Sequence, residues 1–146
     1  MSAVIESSSP GDELEHLVLD VPATTEHLRL LRLLVTSLAT SHGADLDDLE
    51  DLRIATGEIG AHAVEAAGSD ARLQVRVAVH EVVDGARSLD VHVVVPGRER
   101  IDDLDELSAM VLGAATEAHG IDGEPGRPAV WFVRGLGTAP SIDVTD

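Results

Sequence analysis

The chain contains no cysteine, no lysine and no tyrosine, and it has one tryptophan and one phenylalanine. Without cysteine there is no disulfide, no thiolate nucleophile and no cysteine-based metal site. With so few aromatic rings there is no platform on which successive bases could stack. No apolar run approaches the roughly 20 residues that a membrane-crossing helix needs. Residues 1–12 lack the basic start and apolar stretch of a secretory signal. These absences predict a cytoplasmic protein with no membrane attachment.

Positive charge is scarce too. Ten arginines face 27 acidic residues, for a formal net charge of -17 over 146 residues. Such a field repels nucleic-acid phosphates and anionic lipid surfaces. A nucleic-acid interface presents a clustered basic patch, whereas these arginines are scattered. Direct nucleic-acid binding is therefore not expected, and a basic protein partner is. The same charge also serves plain solubility. The length suits one domain, since domains run to about 100–200 residues.

The pattern of apolar residues predicts an α+β fold. Residues 1–15 are polar and serine-rich, with Pro10-Gly11, and read as a flexible tail. His16–Val21 alternates and reads as a first strand closed by Pro22. Thr24 or Thr25 is placed to cap a helix carrying Leu28, Leu31, Val35 and Leu38 at helical spacing. Leu30, Leu33 and Leu34 widen its apolar surface beyond one face, so a second cover is needed, inside the fold or in a partner. His42-Gly43 ends it. Asp45 or Asp47 opens a second helix with an acid-rich first turn, as the helix dipole favours. Its buried stripe is Leu49, Leu52, Ala55 or Thr56, Ile59, Ala63 and Ala66, and Gly68-Ser69 closes it.

The period then changes to two. Leu73, Val75, Val77 and Val79 share one face, with Arg72, Gln74, Arg76 and His80 opposite; Leu89, Val91, Val93 and Val95 repeat the pattern after the Asp84-Gly85 turn. This is an antiparallel hairpin with one covered and one open face. A loop, Pro96–Arg100, leads to a third helix opened by Asp102 or Asp103 and carrying Leu104, Leu107, Val111, Leu112 and Ala115. Gly120–Pro128 reads as a Gly/Pro turn region, with room for a short strand before the last one, Ala129–Arg134 as the last strand, and residues 135–146 as a second flexible tail. The expected fold is a two-layer α/β sandwich over residues 16–134, with a mostly antiparallel sheet covered on one face by three helices.

Enzyme motifs are sparse. The seven histidines include no HxxxH or HExxH spacing, so no metal site is expected. No serine lies in a Gly-x-Ser-x-Gly elbow. Glu58 and His62 lie one helical turn apart and read as an i,i+4 pair partly covered by the loop.

The order and spacing of three stretches resemble the smallest form of the histidine-kinase/Hsp90-like ATPase fold, the RsbW/SpoIIAB family of anti-sigma factors and serine kinases. The stretches are Pro22-Ala23 with the following helix bearing Arg29 and Arg32; Asp48–Glu65, with its Arg53-x-Ala55-x-x-Glu58-x-x-x-His62-Ala63 core; and the hairpin, loop, helix and Trp131-Phe132-Val133-Arg134 strand. The resemblance implies that the first helix, through Arg29, Arg32 and Leu33, contacts a sigma factor. It also implies that Glu58, His62 and Gly97 stand where the family binds nucleotide.

There the sequence departs from the family. His62 replaces the asparagine that holds magnesium, and imidazole is a poor ligand for a hard ion that prefers oxygen. Val95 stands where an aspartate reads adenine. Asp102-Asp103-Leu104-Asp105-Glu106 replaces a glycine-rich turn whose amides would approach phosphate. The expectation is a degenerate serine/threonine-protein kinase with weak or absent Mg-ATP binding, no cofactor and no catalytic residue beyond a relic Glu58. Such a protein would sequester an alternative sigma factor in a stress-response circuit and yield it to an anti-anti-sigma (STAS-domain) partner. The resemblance also implies a homodimer, with the open sheet face as one place to form it. Two rivals remain: an active kinase with a divergent site, and a ligand-sensing module on the same scaffold.

Overall fold

The computed structural model describes residues 2–7 and 13–137. Six strands form one sheet in the order β1-β2-β3-β4-β6-β5, namely β1 Ser2–Ser7, β2 Glu13–Pro22, β3 Arg72–Glu81, β4 Arg87–Val94, β5 Ala118–Glu124 and β6 Arg127–Leu136. Every neighbouring pair is antiparallel. Helices α1 Leu28–Ser41, α2 Leu46–Ala67 and α3 Glu106–Ala115 complete the fold. The architecture is the expected α+β sandwich.

Alternation along the strands supplies one layer of the core. Leu73, Val75, Val77 and Val79 of β3, Leu89, Val91 and Val93 of β4, and Val130 and Phe132 of β6 are all buried. Leu31 and Val35 of α1, Leu52, Ala55 and Ile59 of α2, and Leu112 of α3 close over them, each at 0% exposure. Full burial of a side chain of this size contributes about 1.5–3 kcal/mol.

Two glycines inside α2 seat α1. A Cβ on Gly60 would stand 2.7 Å from Leu28 Cδ2, and one on Gly57 would stand 3.4 Å from an Arg32 guanidinium nitrogen. Glycine costs helix stability at such positions; at Gly60 it leaves room for Leu28, whereas a Cβ on Gly57 would stand in ordinary contact.

The start of α2 is tied to the end of β6. Asp45 Oδ1 accepts from the Asp48 amide at 2.8 Å and Asp48 Oδ2 from the Asp45 amide at 3.0 Å, a reciprocal cap. Asp48 is 1% exposed, and its carboxylate also takes Arg134 Nη2 at 3.1 Å and the Gly137 amide at 2.8 Å. Arg134 reaches Asp51 at 2.8 Å as well. A carboxylate this buried needs those partners, because an uncompensated buried charge is strongly destabilising.

Several boundaries differ from expectation, each for a local reason. Regular structure enters residues 1–15: β1 pairs with β2, which begins at Glu13, and an otherwise open sheet edge gains a partner. At the other end β6 runs on through Gly135 to the buried Leu136, while residues 138–146 lie outside the described residues. Gly120–Pro128 is largely strand, with β5 and β6 meeting at a tight turn through Pro125 and Gly126.

The helix starts also move. Thr24 precedes a 3-10 turn, Thr25–His27, and its hydroxyl meets His27 Nδ1 at 2.6 Å instead of capping an amide. The helix α3 begins at Glu106, because Asp105, not Asp102 or Asp103, is its N-cap. That shift turns Leu107, expected in the buried stripe, out to 68% exposure.

Candidate functional site: a strapped acidic cleft and two exposed faces

An open cleft of about 560 Å³ lies between the second half of α2 and the chain from Arg98 to Asp105. Its lining is His62, Glu65 and Ala66 of α2 with Arg98, Glu99, Arg100, Asp102, Asp103 and Asp105. Five carboxylates therefore face two guanidiniums.

The connecting chain is strapped down along its length. Val95 is fully buried and its amide donates to Pro128 O at 2.9 Å. Gly97, at a φ of +90° that favours glycine, donates its amide to Gly126 O at 2.8 Å. Arg98 Nε donates to Ala66 O at 2.7 Å, satisfying a carbonyl in the last turn of α2. His62 Nε2 donates to Asp102 O at 2.8 Å.

Glu58 lies one turn back on α2 and does not line the cleft; Ser108 Oγ donates to its Oε2 at 3.3 Å. The Ser108 amide donates to Asp105 Oδ1 at 2.7 Å, and that bond holds the Asp105 carboxyl below the usual carboxylate range. The expected Glu58–His62 pair is thus replaced by two separate contacts, one from α3 and one to the loop. Of Glu58, His62 and Gly97, only His62 lines the cleft.

These residues do not fit a magnesium nucleotide. The buried Val95 offers no acceptor for an adenine amino group. The His62 N–H is turned to a backbone carbonyl. The N-terminus of α3 is capped by its own Asp105, so the Ser108 amide is already engaged, and the surrounding carboxylates would repel phosphate. Among the described residues no group of histidines and acids has the arrangement of a metal site.

Sequence spacing brought Glu58 and His62 to one helix face. It did not reveal Arg98, Asp102 or Ser108, whose contacts with α2 are made across 32 to 50 residues. A local signal existed for the cap alone, an aspartate three residues before Ser108.

A second surface lies on the outer side of α1. This helix carries Arg29 and Arg32 and no acidic residue. Leu33 is 60% exposed and Arg29 is exposed, whereas Arg32 is half-buried, its guanidinium lying over Gly57. The two arginines, expected on a common face, therefore divide between solvent and the α1–α2 groove.

The third surface is the open sheet face. Arg72 pairs with Asp20 at 2.7 Å, and His80 Nε2 lies 3.1 Å from Asp90 Oδ2. His92 stacks on Trp131 with ring centroids 6.0 Å apart. Burial pushes the Asp90 carboxyl up, against the pull of His80 and His92, and pushes the His92 imidazole down.

Comparison with known proteins points to one family. Residues 21–127 match the histidine kinase-like ATPase domain. The anti-sigma-F factor RsbW of Mycobacterium tuberculosis is 37% identical over 83 residues, covering 54% of this chain and 49% of that protein. The serine-protein kinase RsbW of Bacillus velezensis is 29% identical over 112 residues, covering 75% of this chain and 65% of that protein. The chain thus spans about half the length of the mycobacterial relative. The crystal structure of the RsbU and RsbW domains of a Mycobacterium tuberculosis protein superposes with a TM-score of 0.60 at 20% identity, over 88% of this chain and 34% of the other, and shows the same fold. No helix among the described residues is long and apolar enough to cross a membrane. The match over residues 21–127 places the chain in the histidine kinase-like ATPase family, and within it the chain is similar to RsbW proteins.

Proposed function

We propose that this protein is an anti-sigma factor that sequesters an alternative sigma factor through α1, yields it to an anti-anti-sigma (STAS-domain) protein, and does so without phosphoryl transfer. The observation that carries the reading is the outer face of α1. In a chain of net charge -17 it presents an exposed leucine, Leu33, beside Arg29, on a helix with no acid. An exposed apolar anchor next to a guanidinium suits a protein partner with an apolar pocket and an acidic rim. The relatives named anti-sigma-F factor support the class of partner. Elsewhere the acidic surface would speed encounter with a basic partner more than it sets final affinity. Dimerisation through the open sheet face is part of the same reading.

The loss of ATP dependence rests on the cleft. Its carboxylates, the buried Val95 and the engaged His62 all oppose a bound triphosphate. The rival reading, an active serine kinase, is favoured by the retained Glu58 and by relatives named serine-protein kinase.

Co-purification of the tagged protein from its own host tests the proposal. A sigma factor in near-equal amount supports it. Neither a sigma factor nor a STAS protein at several salt concentrations sinks it. Thermal unfolding with Mg-ATP separates the rival, since a ligand at 100 times its Kd adds about 2.7 kcal/mol. Phosphate transfer to a STAS protein that Glu58→Ala abolishes would establish the kinase. Stabilisation by a small molecule with no protein partner present would favour a ligand sensor.

A further inference from the structure

We propose that the outer face of α3 is a docking surface for a basic amphipathic helix of a protein partner, separate from α1 and independent of what α1 binds. The primary observation is the make-up of that face. Beyond Glu106, the exposed positions of α3 are Leu107, Met110, Gly113 and Ala114, all apolar. Leu107 is 68% and Met110 66% exposed. They lie three apart and so sit side by side, with Gly113 and Ala114 continuing the stripe for another turn. A helix at a surface normally shows solvent its charged residues, and one apolar on both sides is normally covered on both. The inner side of α3 is already covered, with Leu112 and Ala115 in the core.

Gly113 is a second, independent sign. A Cβ placed there meets nothing within 4 Å, unlike Gly57 and Gly60, where α1 crosses. Inside the molecule no close approach requires this glycine, although glycine is among the poorest helix formers. A partner backbone lying against the stripe would supply the missing reason.

The charge around the stripe selects the occupant. Asp102, Asp103, Asp105 and Glu106 are all exposed at its N-terminal end. An anionic bilayer is repelled by such a rim, and the same α3 face of a second copy would bring acids against acids. A helix carrying apolar residues at i and i+3 or i+4, with lysine or arginine beside them, satisfies both the stripe and the rim.

The test uses a synthetic amphipathic helix of leucine and lysine, with a scrambled peptide of the same composition as control. Binding to the full chain is followed by amide chemical shifts and by titration. The expected result is saturable binding with shifts centred on residues 102–114. The scrambled peptide and the Leu107→Ser/Met110→Gln variant should each lose at least about tenfold in affinity. Both substituted positions are exposed, and an unchanged amide spectrum elsewhere checks that the variant is folded. Gly113→Gln, which places bulk on the stripe without touching the core, should weaken binding in the same direction. Equal binding by the double variant or by the scrambled peptide overturns the proposal, as does no binding or shifts centred on α1 or the open sheet. Self-association, or capture by anionic vesicles, that the double variant abolishes would assign the face to another occupant and overturn it equally.

Discussion

Helices α1 and α3 flank α2 in sequence, and each shows solvent an apolar surface that the fold does not cover. Their electrical surroundings differ. The exposed Leu33 of α1 has Arg29 for a neighbour and no acid on its helix, whereas the exposed Leu107 and Met110 of α3 follow Asp102, Asp103, Asp105 and Glu106. In a strongly acidic chain a uniform surface would surround both with carboxylates. The segregation indicates two faces suited to chemically different occupants, one able to meet an acidic residue and one a basic segment.

The largest test of the comparison separates inner from outer residues on the same helices. Leu31 of α1 and Leu112 of α3 are both at 0% exposure. Replacing either by alanine should cost about 2–5 kcal/mol in urea unfolding. Leu33→Ser and Leu107→Ser should stay within about 0.5 kcal/mol of the parent. If the outer variants prove as destabilising as the inner ones, the two faces are structural and not docking surfaces.

Next in size is a charge test of α1. Arg29→Glu combined with Leu33→Asp should weaken the proposed sigma-factor capture by roughly 2–4 kcal/mol, measured by titration calorimetry. The Leu107→Ser/Met110→Gln variant should leave that capture unchanged. A loss in both would merge the two surfaces into one.

Glycine substitutions sharpen the comparison at about 1 kcal/mol. Gly113→Ala should raise thermal stability by about 0.5–1 kcal/mol, because its site is open and alanine favours helix. Gly60→Ala gains the same propensity but drives its methyl into Leu28, which is 5% exposed, so overpacking of about 1–3 kcal/mol should prevail. Equal signs for the two would mean that α1 yields at Gly60 and the crossing is loose.

The smallest effect belongs to the open sheet face. Burial depresses the His92 pKa below 6.5, so below that value the unfolded chain takes up the proton more readily than the folded one. The stability that His92 contributes is present above pH 6.5 and is lost as pH falls through its folded value. Asp90 works the other way: its raised pKa makes its contribution favourable at low pH and costs stability as pH rises through the folded value. Unfolding at pH 7.5 and at lower pH should therefore show a decline from His92 in the weakly acidic range, partly offset by Asp90 at lower pH, and His92→Gln should flatten it.

Much of the fold was legible from residue order. The two-residue period of Arg72–His80, the helical spacing of Leu28, Leu31, Val35 and Leu38, and the acid-rich opening of α2 each follow from local geometry, and each is where expected. The strand β1 was missed because six residues gain their ladder only from β2, and no local pattern announces a distant partner. The start of α3 was missed by about a turn, because several aspartates in a row can each cap a helix and only packing of Leu112 and Ala115 selects Asp105.

The candidate site divides in the same way. That His62, Val95 and a run of acids stand along this stretch is a matter of residue identity and could be read directly. What Glu58 and His62 touch could not. Ser108, Asp102 and Arg98 reach α2 across long stretches of chain, and only tertiary packing brings them there. Apolar periodicity identified which residues a helix must bury but not which of its remaining apolar residues face water. That is settled by how each helix packs, α1 across α2 with Leu28 against Gly60 and α3 through Leu112 and Ala115. Residue order thus determined the layers and the charge. The packing of the helices on the sheet decided where Leu33, Leu107 and Met110 emerge, because a rotation of one residue on a helix turns a side chain by about 100° and exchanges core for solvent.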